Sequence, residues 1–117
     1  MPNVCSNYFT ITSGNTVELQ TLVATELTRG EGAEFYERNI VFTKNCPHGI
    51  QFRQHTKWRP DYEWMQRIVV KYPTCWVKNE WIEEGGMAGV WVGSLTNGIQ
   101  SMIWEDLCID AKEHIFN

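Results

Sequence analysis

No long apolar run interrupts this 117-residue chain, so it offers no candidate membrane span. Nor does it open with a charged stretch followed by an apolar one, the mark of a signal peptide. Cysteine is sparse: Cys5, Cys46, Cys75 and Cys108 lie far apart with no Cys-x-x-Cys pair. That pattern argues against a disulfide framework and for reduced, mostly buried thiols in an intracellular, cytoplasmic protein. Phosphate-cradling loops are missing too, since neither Gly30-Glu31-Gly32 nor Gly85-Gly86 has the required spacing or the lysine that follows it.

The catalytic inventory is equally thin. Cys46-Pro47-His48, with His55 and Cys75 further on, is the one cluster that suggests a transition metal. Zinc needs four ligands converging at about 2.0–2.3 Å, and this spacing matches none of the recurrent Cys or His patterns. A proline turn with a half-buried cysteine is the expected reading, with no metal and no cofactor. Glu83 and Glu84 are adjacent on a strand, so they point to opposite faces and read as solvated flanks of a turn. A cysteine nucleophile needs a base within hydrogen-bond reach, and no signature places His48, His55 or His114 beside a thiol. The expectation is a non-enzyme with no catalytic residues.

Aromatic residues are abundant: six Trp, five Phe and four Tyr. At this length a single domain, residues 1–117, can bury a core without staples, and most of these rings are expected inside it. Leu22, Val23, Phe52, Trp58, Ile68, Val69 and Trp91 are the expected core, with Trp58→Ala costing about 3–5 kcal/mol. Charge is unevenly spread. Residues 1–37 are net −4, residues 38–78 carry eight basic against two acidic residues, and residues 79–117 are net −6, for a total of −4. If the fold separates these segments, two surfaces suited to different partners result; if it interdigitates them, they partly cancel.

Asn7–Thr12 alternates like a strand, and Asn15 with Glu18 forms a capping pair ahead of a helix over about 16–29. The glycines that follow predict a mobile loop over 30–34. Residues 35–43 suit a second strand or a short helix, and Asn45–Gly49 carries turn chemistry. Ile50–Trp58 alternates most clearly, with Gln51, Arg53, His55 and Lys57 on its outward side. A helix over about 60–72 buries Met65, Ile68, Val69 and Tyr72. Strands follow over 75–83, 87–95 and 99–104, the last two joined by Asn97-Gly98, a signal for a two-residue type I′ turn. A short helix over 106–114 closes the chain. The order predicts an α+β fold: a ferredoxin-like βαββαβ sandwich with an antiparallel sheet, an extra C-terminal hairpin strand and the terminal helix.

Met1-Pro2-Asn3-x-Cys5-x-Asn7, Ile11-Thr12, Thr56-x-Trp58-x-Pro60, Tyr72-Pro73, Glu83-Glu84-Gly85 and Gly89 resemble the YubB-like family of small phage- and plasmid-borne proteins. The likeness covers roughly the first dozen residues and positions 50–93; it departs at Val4, where the family usually has Trp, and at Asp61, where a second Pro often stands. The resemblance implies a ferredoxin-like domain but no catalytic residues.

Two surfaces are candidates for binding. Arg53, His55 and Lys57 line one strand face, which the bare side of a half-covered sheet would present to a partner, nucleic acid included. Glu105, Asp106, Asp110 and Glu113 form an acidic edge that could occupy the place of phosphates on a host protein. The expected function is a mobile-element accessory protein in a bacterial host cell that binds and inhibits or modulates a host protein, such as an antiviral defence nuclease complex. A nucleic-acid-binding module using the basic face is the alternative, weighed against an acidic overall composition.

Overall fold

The structure is a computed structural model that describes residues 3–27 and 40–104. Six strands form one antiparallel sheet: β1 (Val4–Ser13), β2 (Val41–Cys46), β3 (Gly49–Lys57), β4 (Cys75–Glu83), β5 (Ala88–Ser94) and β6 (Gly98–Trp104). Their order is β2-β3-β1-β4-β5-β6, which puts the first strand of the chain at the centre. Helix α1 (Thr16–Leu22) follows β1 and runs into a π-helical turn, Val23–Leu27; helix α2 (Tyr62–Lys71) lies between β3 and β4. The fold is therefore α+β.

Local chemistry starts both helices. The Asn15 side chain accepts from the Glu18 amide at 3.0 Å, and the Asp61 side chain accepts from the Trp64 amide at 3.1 Å, so each satisfies an otherwise orphaned donor. Glu18 does not return the bond to Asn15. Its carboxylate instead accepts from the backbone of Thr74 at 3.2 Å, fastening α1 to the entrance of β4.

Alternation along the strands selects the face the helices cover. Phe9, Ile11, Ile50, Phe52, Val77 and Trp91 pack in one cluster with Leu19, Leu22 and Leu27 from the first helical segment and Trp64, Met65, Ile68, Val69 and Tyr72 from α2 and its end. Both helices thus lie on the same side of the sheet. Phe9 stacks on Phe52 at 4.8 Å between ring centroids and meets Trp64 edge-on at 5.6 Å, geometries that suit the ring quadrupoles. A Cβ on Gly89 would stand 2.7 Å from the Trp81 ring and from the Met102 carbonyl oxygen, and one on Gly93 2.5 Å from the Trp91 ring, so two indoles occupy the space beside glycines.

Several expectations are corrected. Trp58 is 57% exposed and lies beyond the end of β3, so it is not a core residue. The helix expected to run to residue 29 changes to π geometry at Val23. The second strand begins at Val41 and runs through Asn45 and Cys46, residues assigned to a turn, leaving only Pro47-His48 as the connection. The last hairpin closes at Ser94 and Gly98 with three residues between them; Gly98 alone takes positive φ, at 74°, so the turn is not type I′. The expected loop at 30–34, the first part of the strand at 35–43 and the helix at 106–114 lie outside the described residues.

Candidate binding face

Opposite the helices, the sheet presents a face that no described helix covers. Register places Arg53, Tyr8, Glu80, Val90 and Met102 side by side across five strands. A neighbouring row runs His55, Ser6, Ile82, Ala88 and Trp104, and another runs Gln51, Thr10, Lys78, Val92 and Gln100. Arg53, His55 and Lys57 therefore do share one face, along β3, as the alternation predicts. Tyr8 stands next to Arg53 and is 45% exposed. Beyond it Lys78 and Glu80 pair at 2.9 Å, and past that ion pair the face turns apolar with Val90, Val92 and Met102.

Hydrogen bonds hold the polar half in place. Ser6 Oγ lies 3.4 Å from His55 Nδ1, and Gln51 Nε2 donates to Thr10 Oγ1 at 3.3 Å. These bridges tie β3 to β1 from the open side, beside the basic row.

At the end of β3 the backbone makes a γ-turn. The Arg59 amide donates to the Lys57 carbonyl at 2.7 Å across Trp58, whose φ is +69°. A residue with a Cβ rarely adopts that conformation, and here neighbours enforce it. The Trp58 amide donates to the Asn3 carbonyl at 2.9 Å, Thr56 Oγ1 donates to the Arg59 carbonyl at 2.8 Å, and Pro60 is buried immediately after. The outcome is an exposed indole between two exposed basic residues, Lys57 and Arg59, continuous with the strand that carries Arg53 and His55.

The helix-covered side holds a polar group that composition does not reveal. Asn7, Gln54 and Asn79 are fully or almost fully buried. The Asn7 amide donates to the carbonyls of Cys5 and Gln54 at 3.2 and 3.1 Å and to Thr56 Oγ1 at 2.9 Å, while Asn79 Nδ2 donates to Asn7 Oδ1 at 2.9 Å. Gln54 Nε2 and Asn79 Oδ1 have no partner among the described residues. Burial, with the Glu83 charge adding to it, pushes the Cys5 thiol up to about 11, so it is held as an inert thiol.

Other sequence candidates separate. Cys46 is exposed, His48 Nδ1 lies 3.0 Å from the Ser13 carbonyl, Cys75 is buried in the core and His55 belongs to the open face, so these residues do not converge. Glu83 is 5% exposed, not solvated as expected: it occupies the core side of β4 and accepts from the Gly85 amide at 2.9 Å. Glu84 faces the other way and accepts from the Val4 amide. Glu105, Asp106, Asp110 and Glu113 lie outside the described residues. The exposed Trp58 and Tyr8 were missed as site residues; for Tyr8 the signal was available, because alternation from Phe9 and Ile11 puts it on the same side as Arg53.

Fold and face together define a class: an α+β domain whose antiparallel sheet is covered by helices on one side and bears a basic, aromatic row on the other. Comparison of the chain with family models, curated proteins and solved structures finds no match. No described helix is long and apolar enough to cross a membrane.

Proposed function

We propose that this chain is a non-enzymatic binding module that docks the end of β3 and the bare sheet face onto a protein partner. The observation that carries the reading is Trp58, held exposed at φ +69° between Lys57 and Arg59. Strain of that kind costs on the order of 1–3 kcal/mol and persists only where the surroundings enforce it. Exposing an indole adds a further cost, and tryptophan and arginine are the residues that most often anchor protein interfaces. A protein partner accounts for the mixed character of the face better than a nucleic acid does. Its basic row passes through Tyr8 to a carboxylate, Glu80, and then to apolar Val90 and Met102, whereas a phosphate backbone would favour continuous positive charge.

The domain is read as a ferredoxin-like core with an appended hairpin. What supports this is the sub-order β2-β3-β1-β4, with α1 between β1 and β2 and α2 between β3 and β4; β5 and β6 extend the sheet beyond β4. The resemblance to phage- and plasmid-borne proteins supplies the setting: the bacterial cytoplasm, and a host protein that the module inhibits or modulates. An antiviral defence nuclease complex is the first to test.

Affinity purification from host lysate should recover a stoichiometric partner with the wild-type chain and lose it with Trp58→Ala, both proteins having the same far-UV circular dichroism. Equal recovery by the two would defeat the assignment of this face. A specific nucleic-acid complex at physiological salt that weakens when Arg53 and Lys57 are replaced would promote the nucleic-acid reading instead.

A further inference from the structure

The two edges of the sheet are built differently. β2, at one edge, carries a bulge between Phe42 and Lys44, and Lys44 itself is exposed, both of which hinder the addition of another strand. β6, at the other edge, has neither device. It keeps unbroken register with β5 from Ser94 and Gly98 to Ala88 and Trp104. It contains no charged residue and no proline, and Ile99, Met102 and Ile103 are 47, 59 and 48% exposed. Among the described residues no strand pairs with its outer side, and an edge of this composition suits strand addition.

What fits it is written in its own sequence. Around Ser101 the strand reads Ile99-Gln100-Ser101-Met102-Ile103, with isoleucine at equal distances on both sides. Antiparallel pairing with an identical strand about a two-fold axis at Ser101 sets Ile99 opposite the partner's Ile103 and Ile103 opposite the partner's Ile99. Register with β5 puts Ile99, Ser101 and Ile103 on the side of Gly93, Trp91 and Gly89, the side that carries the core. Four isoleucines would then meet in two cross-strand pairs, and aliphatic pairs of this kind stabilise a ladder. Because the strand is uncharged, the net negative charge of two copies does not meet like charge in the seam.

We propose that β6 is a self-association edge, through which two copies join their sheets antiparallel about a two-fold axis at Ser101. The inference does not depend on the function proposed for the opposite end of the sheet. A single seven-residue strand pair buries less than the roughly 800 Å² per partner of a standard interface, so the dimer depends on concentration.

Sedimentation equilibrium should show the mass rising from 13.6 kDa toward twice that value as concentration increases. Ser101→Lys, which sets two lysines against each other across the axis, should abolish the rise while far-UV circular dichroism stays unchanged. In a Cys46→Ser, Cys108→Ser background, Ser101→Cys should cross-link to itself under mild oxidation or with a short thiol cross-linker, because directly opposed Cβ atoms lie about 4.5–5.5 Å apart. Gln100→Cys, which faces the partner's Met102, should cross-link several-fold less, with linked peptides mapped by mass spectrometry. A wild-type chain that stays at the single-chain mass up to about 0.2 mM, a Ser101→Lys variant that still dimerises, or equal cross-linking at positions 100 and 101 would each overturn the proposal. If Ser101→Lys fails to fold, the cross-linking pair decides.

Discussion

Glu26 and Tyr72, 46 positions apart, meet at one carboxylate oxygen: Glu26 Oε2 accepts from Tyr72 Oη at 2.9 Å and from Lys71 Nζ at 2.8 Å. The bond ties the π-helical turn to the end of α2. Partial burial disfavours the charged carboxylate, but the bonds from Lys71 and Tyr72 outweigh it and hold Glu26 below its ordinary range. A folded value below the unfolded one means the contribution is fully present above about pH 4.3 and is lost as pH falls through the folded value. Glu26→Gln should therefore lower the urea midpoint at neutral pH and flatten its decline in acid. Parallel acid limbs for the two proteins would show that the carboxylate contributes nothing.

Trp58 is expected to separate stability from binding. Trp58→Ala should change stability by less than about 1 kcal/mol, because an exposed ring leaves no cavity. Trp58→Gly should raise it by up to about 1 kcal/mol, since glycine adopts the positive φ without a Cβ penalty. Both variants should lose the partner. Equilibrium denaturation is the check, and a loss of several kcal/mol in either would place the indole back among the structural residues.

Gly89 has no room for a methyl group. Gly89→Ala would press a Cβ against the Met102 carbonyl oxygen and the Trp81 ring, and backbone on one side with a buried ring on the other leaves little to yield. A loss of about 1–3 kcal/mol is expected from overpacking. Gly14→Ala, with nothing within 4 Å of the added atom, serves as the control. Urea titrations giving the same midpoint for both variants would contradict the packing described for Trp81.

Thiol reactivity should rank Cys46 far ahead of Cys5 and Cys75. Cys46 is exposed, whereas burial raises the thiols of Cys5, to about 11, and of Cys75. At pH 8 only about one Cys5 in a thousand would be thiolate. Because these folded values lie above the unfolded ones, their contribution to stability is present below about pH 8.5 and drains as pH rises through the folded values. Alkylation followed by peptide mapping should label Cys46 within the time that Cys5 stays unmodified. Comparable labelling of the two in the native state would contradict the burial of Cys5.

Where alternation was strict, the fold was legible: Gln51, Arg53, His55 and Lys57 face outward and Ile50, Phe52 and Gln54 inward, as the pattern of β3 dictates. The pattern failed at Trp58 because a γ-turn is set by contacts with Asn3, Thr56 and Arg59 that neither propensity nor period encodes. Asn97-Gly98 misled for a related reason. The dipeptide favours a two-residue turn, but the register of β5 and β6 required three residues, with Gly98 supplying the positive φ after them. Burial of Asn7, Gln54 and Asn79 was implicit in the alternation, although polar residue types argue against a core position. Their mutual hydrogen bonds are tertiary facts, invisible to a one-dimensional reading.

The central place of β1 has a kinetic meaning. Its partners, Gly49–Lys57 on one side and Cys75–Glu83 on the other, are made long after it, so among the described strands it waits longest between its own synthesis and the completion of both its edges. On a ribosome adding about 5–20 residues per second, the Tyr8-Phe9-Thr10-Ile11 segment waits several seconds for a neighbour. Closing such distant pairs also places refolding in the millisecond-to-second range rather than the microsecond range of helical domains. For this chain the hazard of misassembly is concentrated in synthesis, before Glu83 has emerged.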